Sequence, residues 1–243
     1  MPSTTVTSAS GQGEGRSDVP DAYPTFQGYY RRFTEQMRQL GCTTFTRLLN
    51  GATVAHIGSD GPRLAIVAGV HGDERSGPLA LLAWVSSRNA PLIPPDRQVW
   101  LLPLLNDEGW DAHRREWRGL DLNRSFLSRE TPPELVRPIM DEWRARPPDM
   151  FLDLHEDSDR PVQPYLFRYP GDEHGLAERL AVHLGAQMVD WMDFDEWEGS
   201  DEVFLRRLGC SRCITIEAPQ SWSLEERIRW NLKAVQWCVG YFG

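Results

Sequence analysis

His71, Glu74, His155 and Glu217 are side chains able to hold a metal ion or move a proton, and each stands at or near the end of an apolar run. VAGVHGDERSG (67–77) carries the first two, MFLDLHED (150–157) the third and CITIEAP (213–219) the fourth. Two imidazoles and one carboxylate make a catalytic zinc set, which leaves a fourth coordination position open for water. Glu217 is the only charged residue of its run. A carboxylate buried there is costly unless it is paired with a cation or put to work. The working role is that of a general base, which takes a proton from the attacking water and hands it to the leaving amine. In MFLDLHED the alternation of a strand puts Asp153 and His155 on one side and Leu152 and Leu154 on the other.

Other stretches carry weaker signals. His113-Arg-Arg-Glu116 repeats the H-x-x-E spacing, but in a polar, Arg-rich segment with no apolar run leading into it, so it reads as a surface or pocket-rim pair. Asp121-Leu-Asn-Arg124 offers a guanidinium that binds a carboxylate bidentately, with an amide donor beside it from Asn123. No G-x-S-x-G occurs, which speaks against a serine hydrolase of the nucleophile-elbow type. Lys233 is the only lysine and falls in a helical pattern, which nearly excludes Schiff-base chemistry. Cys210-Ser-Arg-Cys213 lacks a second pair or a redox context and reads, with Cys42 and Cys238, as reduced structural thiols.

The elements that must position these groups alternate along the chain. Helical spacing is expected over 26–40, 78–87, 135–146, 172–184 and 224–239, and strands over 52–58, 63–70, 99–105, 150–155, 164–169 and 213–218. Near-continuous apolar strands alternating with helices imply an α/β fold: a single domain, its sheet mixed but mostly parallel, with helices on both faces. Ligands in such sheets bind beyond the carboxyl ends of the strands. His71, Glu74, His155 and Glu217 therefore have a common edge at which to meet despite their separation in sequence.

Composition bounds the rest. The chain has 243 residues, 40% of them apolar, enough for one full core. A net charge of −9 gives no generic nucleic-acid footprint. No stretch approaches the ~18 apolar residues of a membrane span. The Ser-, Thr- and Gly-rich start has neither a basic head nor an apolar core, so it is expected to be a disordered tail over 1–24 rather than a signal peptide, with the catalytic domain over 25–243 and a cytoplasmic location.

HGDE (71–74), LNDEG (105–109), GLDLNRSF (119–126), DLHED (153–157) and TIEAP (215–219), in this order, resemble the carboxypeptidase A-type zinc metallocarboxypeptidases, most closely the small bacterial branch. They also resemble that superfamily's deacylase branch, the succinylglutamate desuccinylases and aspartoacylases. The resemblance implies one Zn2+ ion held by His71, Glu74 and His155, with Glu217 as the catalytic carboxylate. It implies that Asn123 and Arg124 grip the free carboxylate of the substrate. It implies that Asp121 hydrogen-bonds the first zinc histidine, and that Arg114 stabilises the oxyanion, with Arg115 and Arg118 as competing candidates. The chain departs from the common pattern in reading Asn106-Asp107-Glu108-Gly109 where members often have Asn-Pro-Asp-Gly, and in having no tyrosine over 190–208, so that Tyr165 or Tyr169 would have to cover the substrate. The expected function is hydrolysis of a C-terminal amide bond of a small peptide. The alternative is N-deacylation of an acyl amino acid. The acidic stretch DWMDFDEWEGSDE (190–202) favours a basic C-terminal residue and disfavours succinyl or aspartyl groups. The substrate's identity and the oligomeric state stay open.

Overall fold

The computed structural model describes residues 23–242 except 43, 59, 88–92, 95, 128–132, 160–162, 171–174 and 192–198. The expected tail over 1–24 thus lies outside the described residues, apart from Tyr23 and Pro24. Pro24 is tied down, its carbonyl accepting from the Trp110 indole N–H at 2.9 Å.

The described strands form one sheet: β1 (Thr44–Arg47), β2 (Thr53–Ile57), β3 (Arg63–Ala68), β4 (Gln98–Leu102), β5 (Met150–Asp157), β6 (Tyr165–Arg168), β7 (Gln187–Asp190) and β8 (Cys213–Pro219). Their order is β1-β2-β4-β3-β5-β8-β6-β7. The centre, β4-β3-β5-β8, is parallel throughout, and β6 also runs parallel to β7. The antiparallel pairs are β1–β2, β2–β4 and β6–β8. The central strands are apolar because both of their faces are covered. Every residue of β3 is buried.

The cover comes from α1 (Phe26–Gln39), α2 (Ser76–Ser86), α4 (Arg137–Ala145), α6 (Asp201–Arg207) and α7 (Leu224–Phe242). On one face α2 packs between α1 and α7. It is apolar nearly all round, as a helix enclosed by protein should be. On the other face α4 sets Trp143 among Trp100 of β4, Phe126, Phe151 of β5 and Phe204 of α6, with ring centroids 5.4–6.5 Å apart. Phe151, Asp153 and His155 alternate onto this second face. Leu154 lies against Gly77 at the start of α2 on the first.

Shorter elements complete the chain: α3 (Asp107–Ala112), a 3-10 turn (Leu122–Arg124) and α5 (Leu176–Leu184). β1, β7, α3 and α6 were not legible as elements in the sequence. The two strands are four-residue edge strands with exposed ends, and α6 begins inside the acidic stretch.

Candidate active site

β3 is followed in sequence by β4, its neighbour on one side, whereas its neighbour on the other side is β5, so the strand order reverses at β3. That is the switch point at which a crevice opens in a parallel sheet. His71 and Glu74 follow the carboxyl end of β3, His155 lies near that of β5, and Glu217 lies on β8 in register with His155. They meet at one end of a cavity of about 590 Å³.

Sequence-distant contacts hold the loop that carries His71. Asn106 caps α3 by accepting from Gly109 N–H at 2.8 Å, and its amide donates to the carbonyls of Arg115 at 2.9 Å and Val70 at 3.3 Å. Gly72 N–H donates to the Arg115 carbonyl at 3.2 Å. Gly72 lies so close to α3 that a Cβ on it would fall inside the backbone of Gly109 and Trp110. Glycine is therefore required here by the approach of two backbones. On the other side of the loop, Glu156 accepts from Ser76 N–H at 2.6 Å, capping α2 from β5, and pairs with Arg227 of α7.

His71, Glu74 and His155 are all buried, and their ligand atoms lie within 4.8 Å of one another. His71 Nδ1 stands 2.6 Å from Glu74 Oε1 and His155 Nδ1 2.8 Å from Glu74 Oε2. The opposite nitrogens also face carboxylates: His71 Nε2 lies 3.2 Å from Asp121 Oδ1, and His155 Nε2 2.6 Å from Asp153 Oδ2. A neutral imidazole has one N–H. If Nε2–H donates outward to Asp121 or Asp153, the Nδ1 lone pair is left facing the lone pairs of Glu74. Only positive charge between them, protons or a metal cation, makes that arrangement favourable. The outward carboxylates fix the tautomer that a metal-bound histidine needs. The donor set therefore fits a zinc ion.

The electrostatics agree. Burial alone would lower the pKa of both imidazoles, but Glu74 and Asp121 around His71, and Asp153 and Glu74 around His155, outweigh it and raise both. Burial would raise the carboxyls of Glu74 and Asp121, but His71 and His155 around Glu74, and His71 and Arg115 around Asp121, hold both far below the usual carboxylate range. Glu217 goes the other way. Burial pushes it well above its ordinary value, His155 opposes the rise, and Glu74, Asp157 and Asp153 add to it. Among the described residues Glu217 has no ion-pair partner, so the alternative of a structural salt bridge has no arginine to complete it.

The other expected residues are placed as follows. Asn123 is buried, its Nδ2 3.4 Å from His155 Nε2, and with Arg124 it lines the cavity. Arg114 does not reach the cavity. It is exposed and lies 3.4 Å from Glu108. Adjacent residues in an irregular loop point apart, and Arg115 is the one turned inward, its guanidinium 3.5 Å from Glu74 and 3.3 Å from Asp121. Arg118 pairs with Glu108 and Glu134 at the surface. His113 and Glu116 are both exposed. Tyr165 lines the cavity opposite Glu217, its hydroxyl donating to Asp157 at 2.7 Å, whereas the Tyr169 hydroxyl donates to Glu202 at 3.1 Å.

Sequence reasoning missed the role of Asp153 beside His155, although their shared strand face was visible. It also missed the burial of Asp201 and Glu202. Of the acidic stretch, residues 192–198 lie outside the described residues. Asp190 pairs at the surface with Arg168. Asp201 and Glu202, by contrast, are buried beside Asp153. Burial, with the charges of Asp153 and Glu202, pushes Asp201 well above its ordinary pKa.

The profile of the succinylglutamate desuccinylase/aspartoacylase catalytic domain matches residues 60–228. No curated protein matches the chain. Among solved structures, a provisional metallopeptidase from Shewanella baltica superposes with a TM-score of 0.76 at 22% identity, covering 89% of this chain and 92% of that one. A metallo-carboxypeptidase from Pseudomonas aeruginosa, in complex with (2-guanidinoethylmercapto)succinic acid, gives 0.69 at 18%, covering 89% and 69%. Bovine thrombin-activatable fibrinolysis inhibitor, in complex with tick carboxypeptidase inhibitor, gives 0.70 at 15%, covering 90% and 97%. At these identities the likeness is one of fold, and it is the carboxypeptidase-like α/β fold.

Proposed function

The chain belongs to the succinylglutamate desuccinylase/aspartoacylase catalytic-domain family, a branch of zinc-dependent metallohydrolases, and from that premise we propose that it is a metallocarboxypeptidase cleaving the C-terminal amide bond of a small peptide. The observation that carries the choice of substrate is the buried carboxyl group of Glu202 on the cavity wall. Asp201 and Glu202 stand in or beside the cavity without an ion-pair partner among the described residues, and a succinyl or aspartyl carboxylate would meet them at close range. A basic C-terminal residue is favoured by the same charge.

His71, Glu74 and His155 would hold the zinc ion. When bound, it supplies a Lewis acid that polarises the scissile carbonyl and acidifies water. Arg124 and Asn123 grip the free carboxylate of the substrate and so fix which amide reaches the centre. Arg115 faces the carbonyl oxygen as charge develops on it, the role assigned to Arg114 on sequence grounds. Glu217 accepts a proton from the attacking water and passes it to the nitrogen of the departing amine. Its burial, with the carboxylates of Glu74, Asp157 and Asp153 nearby, suits a carboxyl that must hold a proton between the two steps.

The alternative, N-deacylation of an acyl amino acid, is supported by the family match itself. A panel of dipeptides against N-acetyl and N-succinyl amino acids separates the two. Cleavage of dipeptides with at least tenfold higher kcat/KM than any acyl amino acid is expected. The reverse ranking would hand the assignment to the deacylase.

A further inference from the structure

A second cavity, of about 430 Å³, lies between α1, β1 and the start of β2, and it shares no lining residue with the active site. Its α1 wall is the stripe Gln27, Arg31, Thr34 and Arg38, whose spacing is that of one helix face. Arg47 of β1 adds a third guanidinium. Phe45, on the same strand, is half-buried and holds Arg38, whose guanidinium carbon lies 5.5 Å from the ring centroid. No aspartate or glutamate lines this cavity, in a chain whose net charge is −9. Glu35, the only acid of α1, is not among the lining residues. Arg31, Arg38 and Arg47 have no ion-pair partner among the described residues. Exposed arginines elsewhere do have acids beside them, as Arg118 has Glu108 and Glu134, Arg144 has Asp141 and Arg229 has Glu225.

Three like charges around one cavity repel one another, and the arrangement becomes favourable when an anion enters. We propose that this cavity binds a small organic molecule carrying two phosphate groups. A guanidinium presents two parallel N–H donors to two phosphate oxygens, a match that a lysine or a neutral side chain does not make. Arg31 and Arg38 stand two helical turns apart, about 10 Å along the axis. Charge spread over that length suits two phosphates better than one. The volume is that of a small-molecule site rather than of a flat patch for a macromolecule. Arg38 is already held against Phe45, so less side-chain freedom is lost when the anion arrives. Gln27 and Thr34, on the same stripe, stand where they can meet the hydroxyls of the organic part.

The test is calorimetric titration of the protein with fructose 1,6-bisphosphate, fructose 6-phosphate and inorganic phosphate, repeated with Arg38→Gln, Arg47→Gln and the double variant. One bisphosphate per chain is expected, bound at least about tenfold tighter than either monophosphate, with about tenfold lost for each arginine removed. Arg124→Ala, which alters the active-site cavity instead, is expected to bind the bisphosphate as the wild type does. The three arginines are exposed, so the variants without ligand should melt with the wild type. The bisphosphate should raise the Tm of the wild type and leave that of the double variant unchanged. If Arg47→Gln by itself lowers Tm, Arg31→Gln on α1 takes its place. Unchanged binding in the double variant overturns the site, as does loss of binding in Arg124→Ala. So does a bisphosphate held no tighter than inorganic phosphate, or no binding by about 1 mM.

Discussion

Glu217 enters the cavity as a carboxylate that neither an arginine nor a lysine neutralises among the described residues, beside two imidazoles already committed to Glu74, Asp121 and Asp153. A proton carrier needs that setting, because a strong ion pair would hold it permanently ionised. Glu217→Gln keeps size and hydrogen bonding but cannot accept a proton. It should retain one zinc per chain by metal analysis and lose about 10²–10⁴-fold in kcat. Wild-type turnover in this variant would remove Glu217 from the mechanism. Arg115 and Arg114 make a second test, since they are neighbours in sequence but point to different places. Arg115→Ala should lower kcat about 10²–10³-fold, with Arg114→Ala within a few-fold of wild type. Comparable losses in both would mean that the loop moves as a unit on binding. Asp153 acts through His155, so Asp153→Asn should weaken zinc binding about 10–100-fold, read by competition with a chromophoric chelator.

At the scale of elements, the loop between β3 and α2 is positioned by what surrounds it. Gly72 rests on the backbone of α3, Asn106 ties β3, α3 and the Arg115 loop together, and Glu156 anchors the start of α2 from β5. Gly72→Ala forces the loop away from α3. The expected cost is about 1–3 kcal/mol of stability, as for other overpacked sites, accompanied by weaker zinc binding because His71 moves with the loop. Urea denaturation of the metal-free variant and a zinc titration measure the two effects independently. Wild-type values in both would mean that the contact between the two backbones carries no strain. Boundaries of the central elements were legible because their apolar periods are long. β1 and β7 were not, because a four-residue edge strand with exposed ends has almost no period to read.

For the whole molecule, metal loading, protonation and stability are one linked equilibrium. The raised imidazole pKa values mean that protons compete with zinc above the ordinary histidine value near 6.5. Zinc affinity should therefore keep rising as the pH climbs past that value and fall as the pH drops through the raised ones, with protons released on binding. Calorimetry in buffers of different ionisation enthalpy reads both, and a flat affinity from pH 6.5 to 8.5 would contradict it. Free zinc at 100 times its Kd should add about 2.7 kcal/mol to stability, seen as a rise in Tm that a chelator reverses. The sequence alone named His71, Glu74 and His155 as a set the fold brings together, and it named the class of fold. Apolar strands that end in histidine and glutamate can bury themselves only in a covered parallel sheet, whose edge gathers those residues. Tertiary structure alone decided which of three nearby arginines faces the site, since an irregular loop has no period to predict side-chain direction. It alone also decided that Asp201 and Glu202 of the acidic stretch are buried, because burial there depends on Asp153 and Asn123, which lie far away in the chain.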